Sequence, residues 1–134
     1  MTVLIDSSVW IDLFADRDTT QTRVGRQLIA GPESVVVGDL VLTEVLQGTR
    51  DRRDFALKLG RMSLFDQVTI AEHEVAITAA RNYQFLRTRG ITIRKTIDTL
   101  IATRCILDGI ALLYRDRDYD PFVEHLGLRS ALDL

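Results

Sequence analysis

The chain has 134 residues, of which 46% are hydrophobic and 27% charged, as is ordinary for one globular domain with a sizeable core. No apolar run reaches the roughly 18 residues of a membrane span, and the start MTVLIDSSVW lacks the basic segment of a signal peptide. The single cysteine, Cys105, excludes an internal disulfide, so we expect a cytoplasmic protein without membrane contact.

The N-terminal part of the chain alternates short β-prone runs with amphipathic segments. The predicted elements are a strand over Thr2–Ile5, a helix capped by Ser7 or Ser8 with Trp10 and Phe14 on its apolar face, a helix over Thr20–Ala30, a strand over Ser34–Gly38, and a helix that Asp39 caps and Gly48 ends. The glycine and proline at positions 31 and 32 separate the second helix from the second strand.

The same alternation continues toward the C-terminus. The predicted elements are a helix over Asp51–Arg61, a weak strand over Phe65–Ile70, a long helix over Glu72–Arg89, a helix over Ile97–Leu107, a strand over Ile110–Tyr114 and a short helix over Tyr119–Leu126. Strands separated by helices indicate one α/β domain with a mainly parallel sheet.

Four acids occupy unusual places in this pattern. Asp6 follows the first strand and Asp116 follows the last, and ligands of open parallel sheets bind outside the carboxyl ends of strands. Glu44 and Asp98 lie in otherwise apolar helical segments, where an unpaired carboxylate is costly. Each has an ordinary alternative: Asp6 or Asp98 as a helix cap, Glu44 in an ion pair, and Asp116 in a solvated turn. Taken together, they favour one shared cleft.

Acids that share a cleft need a counter-charge, because otherwise their pKa values would rise until they were neutral. Mg²⁺ and Mn²⁺ suit sites made of oxygen ligands, and they bind phosphate oxygens. The net charge of −2 does not argue strongly against a nucleic-acid substrate. A bound metal would neutralise these acids, and the positive charge of 15 arginines and 2 lysines would remain.

Other chemistries have little support in the sequence. His73 and His125 lack the spacing of zinc ligands, and Ser7 and Ser8 have no convincing base for a nucleophilic triad. Neither GxxxxGK[ST] nor GxGxxG occurs, so no glycine-rich phosphate loop is expected.

Four segments, VLIDSSVWID, LVLTEVLQG, IDTLIAT and ALLYRDRDYDPF, follow one another in the order and at about the spacing seen in PIN-domain ribonucleases. The chain most resembles the VapC-type toxins of toxin–antitoxin pairs. The resemblance implies a single PIN domain over residues 1–134, with an α/β, PIN-like three-layer sandwich whose mainly parallel central sheet is flanked by helices. It also implies functional roles for Asp6, Glu44, Asp98 and Asp116, a variable fifth acid at Asp118 and a supporting hydroxyl at Ser7.

The activity implied by the resemblance is Mg²⁺-dependent cleavage of RNA by an endoribonuclease, with Mn²⁺ as a possible substitute. Asp6, Asp98 and Asp116 would hold the metal, with Asp118 and Glu44 as further candidates. The resemblance also implies a homodimer. It implies a cognate VapB-type antitoxin that covers the cleft, and the toxin would contact DNA only indirectly, through this antitoxin. The candidate contacts to RNA or antitoxin are Arg94, Lys95, Arg115 and Arg117.

Two departures from the family pattern concern RNA selectivity. Tyr114 stands where relatives often carry Thr, Ser or His, and Thr103 and Arg104 replace a frequent small residue. Neither departure removes an acid. If the protein dimerises, the helices of its N-terminal half are our candidates for the interface.

Three alternatives stay open at this stage. A PIN fold that serves only for binding would tolerate the loss of an acid, and all four are present. A receiver-type phosphoacceptor domain would need a paired acid after the first strand and a lysine after a late one, where this chain has Ser7 and Arg115. A dehalogenase-type phosphatase would carry its paired acids after the first strand, whereas Asp116 and Asp118 follow the last.

Overall fold

Four short strands form one parallel sheet at the centre of the computed structural model, which describes residues 1–134. They are β1 (Thr2–Ile5), β2 (Ser34–Gly38), β3 (Asp66–Val68) and β4 (Ala111–Leu113), in the spatial order β3–β2–β1–β4. In register, Val3 pairs with Val35 on one side and with Ala111 on the other. The continuous aliphatic runs of β1, β2 and β4 match strands that are covered on both faces.

Seven α-helices flank the sheet and fall into two packing groups. They are α1 (Ser7–Phe14), α2 (Thr20–Ala30), α3 (Asp39–Gln47), α4 (Arg52–Met62), α5 (His73–Thr88), α6 (Thr96–Asp108) and α7 (Asp120–Leu126). In the first group α1 contacts α2 and α3, and α3 contacts α4. In the second group α5 packs along α6 and also touches α7. The predicted α/β three-layer sandwich with a parallel central sheet is confirmed.

Most predicted element boundaries agree with the structure to within one or two residues, and α2 and β2 agree at both ends. Two predicted helix caps are wrong. Asp6, and neither serine, occupies the N-cap position of α1, while Gly38 occupies that of α3 and leaves Asp39 as the first helical residue. The Asp39 carboxylate instead accepts a hydrogen bond from the amide of Ile70, which ties α3 to the segment after β3.

The helix predicted over Tyr119–Leu126 is preceded by an extra turn. Residues Arg117–Tyr119 form a 3₁₀ turn, and α7 begins only at Asp120. The side chain of Asp116 accepts a hydrogen bond from the amide of Asp118 at 2.9 Å and so caps this turn. A tight turn therefore places Asp116 and Asp118 directly beyond the end of β4.

One hydrophobic core joins the sheet to both groups of helices. Cys105 is fully buried in it. Trp10 is buried and packs against Phe14 and Phe65, which confirms the apolar face predicted for its helix. Gly109 ends α6 with a φ of 65°, a left-handed conformation that glycine adopts without strain, and the chain turns there into β4. No helix combines the length and the hydrophobicity that crossing a membrane requires.

Candidate functional site

The four acids singled out in the sequence come from four different elements. Asp6 follows β1, Glu44 lies on α3, Asp98 lies in the first turn of α6, and Asp116 follows β4. The backbone amide of Asp6 donates to the carbonyl of Leu113 at 2.9 Å, which continues the pairing of β1 with β4. The ends of these two central strands are thus held side by side, as expected for a site at the carboxyl edge of a parallel sheet.

Asp6 and Asp98 are joined by a buried tyrosine. The hydroxyl oxygen of Tyr119 lies 3.1 Å from Asp6 Oδ1 and 3.2 Å from Asp98 Oδ1. Tyr119 is fully buried, and the two aspartates are 4% and 5% exposed. The second oxygen of Asp6 accepts from the hydroxyl of Ser8 at 3.3 Å. Both oxygens of Asp6 therefore have hydroxyl partners within the protein.

The remaining oxygen of Asp98 has no such partner. Asp98 Oδ2 is buried and accepts no hydrogen bond. Asp98, Asp116 and Asp118 each bring one carboxylate oxygen into a group whose members all lie within 4.8 Å of one another. A buried anionic oxygen without a donor is costly unless a cation satisfies it. These three residues hence form the part of the site best suited to a divalent cation.

Glu44 closes another side of the same cluster. Its Oε1 accepts a hydrogen bond from the hydroxyl of Ser7 at 3.2 Å. Its pKa is raised, chiefly by partial burial and also by the charge of Asp98, which indicates that the two carboxylates sense each other. Ser7 therefore contacts Glu44, and Glu44 is close enough to Asp98 for the two charges to interact.

The cluster as a whole holds negative charge that the protein alone does not balance. Burial raises the pKa of Asp6 to about 6, and burial together with the charge of Asp6 raises the pKa of Asp98 to about 6. Burial and the two neighbouring carboxylates also raise the pKa of the Tyr119 hydroxyl far above its ordinary value, so it stays protonated as a donor. These are the shifts expected of acids gathered for a cation.

The four basic candidates are placed differently from one another. Arg94 is paired with Asp118 at 3.2 Å, and the amine of Lys95 lies 3.9 Å from Asp116. Arg115 turns away from the acids and binds the buried carboxylate of Asp12 at 2.7 Å. Arg117 is exposed and makes no ion pair. Lys95 and Arg117 accordingly offer the cationic groups near the cluster that are least engaged by other acids.

The helix-cap explanation of Asp98 is wrong in this structure. Lys95 occupies the N-cap position of α6, and no side chain accepts a capping hydrogen bond there. The carboxylate of Asp98 meets Tyr119 instead of a backbone amide. Asp116 does cap its 3₁₀ turn, because its Oδ1 accepts a hydrogen bond from the amide of Asp118. Asp116 is therefore both a turn residue and a member of the acidic group.

Neither Tyr119 nor Asp12 carries a clear functional signal in the sequence. A buried tyrosine hydroxyl normally has a hydrogen-bond partner, so Tyr119 next to an acidic turn was a weak signal. Its partners could not be deduced, since Asp6 is 113 positions away and Asp98 is 21 positions away. Asp12 is 1% exposed on α1 and gave no signal beyond being an acid in a helix.

The departures from the family pattern leave the acids in place. The Tyr114 hydroxyl donates to Asp120 at 2.7 Å, and its ring lies 5.2 Å from that of Tyr119. Thr103 is buried and accepts from the side-chain amide of Asn82, while Arg104 pairs with Glu72 and Asp108. Neither histidine is part of the acidic group. His73 is exposed, and His125 lies 3.9 Å from Glu124.

Comparison with known proteins gives a consistent result for the whole length of the chain. Residues 3–123 match the family model of the PIN domain. Ribonuclease VapC11 of Mycobacterium tuberculosis is 25% identical over 130 residues, which cover 96% of this chain and 97% of the relative. Among solved structures, VapBC2 from Rickettsia felis, bound to a DNA fragment from its promoter, aligns with a TM-score of 0.76 at 16% identity over 97% of each chain. The sarcin–ricin-loop-cleaving toxin VapC20 of Mycobacterium tuberculosis aligns with a TM-score of 0.64 at 14% identity, covering 88% of this chain and 92% of that one.

Proposed function

This chain belongs to the PIN domain family, and on that basis we propose that it is a divalent-cation-dependent endoribonuclease that acts as the toxin of a toxin–antitoxin pair. The relative named Ribonuclease VapC11 aligns over nearly the full length of both chains, which supports RNA as the substrate class. Residues 1–134 would form one PIN domain, consistent with a hydrophobic core that joins all strands.

The observation that carries the proposal is the close group formed by Asp98, Asp116 and Asp118, in which Asp98 also has a buried carboxylate oxygen without a hydrogen-bond partner. Three carboxylate oxygens within 4.8 Å of one another suit a hard cation such as Mg²⁺ or Mn²⁺. The absence of cysteine or histidine from the group argues against zinc. The residues present therefore fit the metal that the family implies.

Asp98, Asp116 and Asp118 would hold the cation. Asp6 is joined to Asp98 through Tyr119, and Glu44 is close enough to Asp98 for their charges to interact. When bound, such a cation polarises a phosphodiester and lowers the pKa of a water molecule. Glu44 is half-buried with a raised pKa, so its carboxylate is a stronger base than an exposed one and is suited to take a proton from water. Ser7, whose hydroxyl donates to Glu44 Oε1, would orient that carboxylate.

RNA phosphates would be met by Lys95 and Arg117. The amine of Lys95 lies 3.9 Å from Asp116, and its positive charge partly offsets the rise in the pKa of Glu44 and of Asp98. Arg94 is 76% exposed despite its pair with Asp118 and could exchange that pair for a phosphate or for an antitoxin acid. Arg115 is a weaker candidate for phosphate contact, because Asp12 holds its guanidinium.

The proposed partners follow from the same family membership. Solved structures with this fold include a toxin–antitoxin complex from Klebsiella pneumoniae, with a TM-score of 0.67 at 19% identity. We therefore assign a VapB-type antitoxin as the inhibitor, with DNA reached only through it, and a cytoplasmic site of action. A homodimer is also proposed, and exposed apolar side chains on the helices of the N-terminal half, including Ile11, Phe55 and Leu57, are available for its interface.

The test is RNA cleavage by the purified protein without antitoxin, using 5′-end-labelled cellular RNA. Discrete products should appear with Mg²⁺ or Mn²⁺ and disappear with a chelator. An Asp98→Asn variant purified in parallel controls for contaminating nucleases. The proposal would be contradicted if cleavage continued in the presence of the chelator, or if Asp98→Asn cleaved RNA as fast as the parent protein. Light scattering of the same sample reports whether the protein is a dimer.

A further inference from the structure

A single hydroxyl group connects the two most buried acids of the site. Tyr119 Oη lies within hydrogen-bond distance of Asp6 Oδ1 and Asp98 Oδ1, and no other protein group donates to either of these oxygens from a side chain. A phenol has one proton, so it donates to one carboxylate oxygen at a time while lying against both. The hydroxyl therefore fixes the distance between Asp6 and Asp98.

The contact also determines which oxygen of Asp98 remains free. Oδ1 faces the tyrosine, and Oδ2 is left buried and without a hydrogen-bond donor. Asp6 differs, because Tyr119 and Ser8 between them face both of its oxygens. The close group contains Asp98 with Asp116 and Asp118 but not Asp6.

The backbone ties Tyr119 to the other two members of that group. Tyr119 ends the 3₁₀ turn Arg117–Tyr119, its amide donates to the carbonyl of Asp116 at 3.2 Å, and Asp118 is its direct neighbour. Its ring is fully buried against the core, so the turn cannot shift without moving the hydroxyl. Tyr119 thus links β1, α6 and the β4 turn at one atom.

We infer that Tyr119 is a positioning residue of the cation site, whose hydroxyl orients Asp98 so that one carboxylate oxygen is directed to the cation shared with Asp116 and Asp118. This inference rests on the proposed function. Groups that hydrogen-bond to ligating carboxylates tune metal affinity, and their removal commonly lowers it about 10- to 100-fold. Tyr119 acts through Asp98 and Asp6 and does not itself ligate the cation.

The experiment compares Tyr119→Phe with Tyr114→Phe in the full chain. Both changes remove one phenol oxygen that donates to a carboxylate, and the two rings are 5.2 Å apart, but the partner of Tyr114 is Asp120, which is outside the acidic group. Mn²⁺ affinity is measured by titration calorimetry and by electron paramagnetic resonance. We expect an affinity about 10-fold lower for Tyr119→Phe and an unchanged affinity for Tyr114→Phe.

A kinetic readout separates positioning from a loss of structure. The Mn²⁺ concentration that gives half-maximal RNA cleavage should rise about 10-fold in Tyr119→Phe, while kcat at saturating Mn²⁺ returns to within a few-fold of the parent value. Circular dichroism and the thermal midpoint without metal show whether the variant is folded. A folded Tyr119→Phe variant with the affinity of the parent protein overturns the inference.

A measurement on the parent protein keeps the inference testable if Tyr119→Phe does not fold. The chain has three tyrosines, so spectra of ¹³C-tyrosine-labelled protein can be assigned by removing Tyr83 and Tyr114 in turn. The Tyr119 ring resonance should shift on Mg²⁺ saturation and the Tyr83 resonance should not. An unmoved Tyr119 resonance contradicts the inference.

Asp98→Asn separates this inference from the proposed function. If the parent protein binds Mn²⁺ no better than Asp98→Asn, the proposed cation site fails and the inference fails with it. If Asp98→Asn loses binding while folded Tyr119→Phe retains the parent affinity, only the role of Tyr119 is refuted.

Discussion

Arg115 Nη1 donates to Asp12 Oδ2 at 2.7 Å, although the two residues are 103 positions apart. Asp12 is 1% exposed, and its other oxygen accepts from Arg17 at 2.7 Å, so two arginines satisfy one buried carboxylate. Arg115 directly precedes Asp116. The ion pair therefore ties α1, which begins just after Asp6, to the loop that carries the acids beyond β4.

Asp12→Asn tests the strength of this tie. The amide keeps the shape of the carboxylate but removes the charge that both guanidinium groups bind, so we expect the free energy of unfolding to fall by about 1–3 kcal/mol. Urea denaturation measures the change. Asp18→Asn is the matched control, since Asp18 is also paired with an arginine at 2.8 Å but lies exposed, and its loss should change stability little. Equal effects of the two changes would contradict the structural role of Asp12.

Lys95→Gln tests the electrostatic contact with RNA. The amine of Lys95 lies near Asp116 and is 61% exposed, which leaves it free to meet a phosphate. We expect weaker RNA binding and a slope of log affinity against log salt that is smaller by about 1. Filter binding to a catalytically inactive background across a salt series measures both. Lys58→Gln, which removes the other lysine from its pair with Asp54, should leave the slope unchanged.

The fold could be predicted because hydrophobic patterning is local: the aliphatic runs of Val3 to Ile5 and Ala111 to Leu113 carry their own signal. That Asp6 and Asp116 lie at one edge could be predicted, because the carboxyl ends of parallel strands such as β1 and β4 converge there. The hydroxyl of Tyr119 could not, since its contacts depend on how α6 and the β4 turn pack. For the same reason the sequence could not show that Arg115 faces Asp12, because charge alone does not set the direction of a side chain.

Stability of the metal-free protein should depend on pH through Asp6 and Asp98. Their pKa values of about 6 lie above the ordinary value of 3.8, so the folded protein binds these protons more tightly than the unfolded chain. Their favourable contribution is complete below about pH 4 and is lost as pH rises through about 6. We expect the free energy of unfolding to fall by about 2–3 kcal/mol between pH 5 and pH 7 as these two groups ionise.

Chemical denaturation at several pH values in the presence of a chelator measures this effect. Excess Mg²⁺ should oppose the loss at pH 7, because a cation replaces the protons between the carboxylates. The Asp6→Asn and Asp98→Asn double variant is the control and should show a flatter profile over the same range. A profile that is equally steep in the double variant would mean that other groups are responsible.

Asp98→Asn is the sharpest test of the site as a whole. Asp98 caps no backbone amide, so the change removes charge and cation binding without removing a helix cap. We expect RNA cleavage with Mg²⁺ to fall about 100-fold or more, because loss of a ligand should exceed the 10- to 100-fold typical of groups behind a ligand. The metal-free variant should gain about 1 kcal/mol of stability at pH 7, since repulsion from Asp6 and Asp116 is relieved. Asp66→Asn, at an exposed acid at the start of β3, is the matched control and should change neither quantity. A folded Asp98→Asn protein that cleaves RNA at the parent rate would show that the acidic cluster has another purpose.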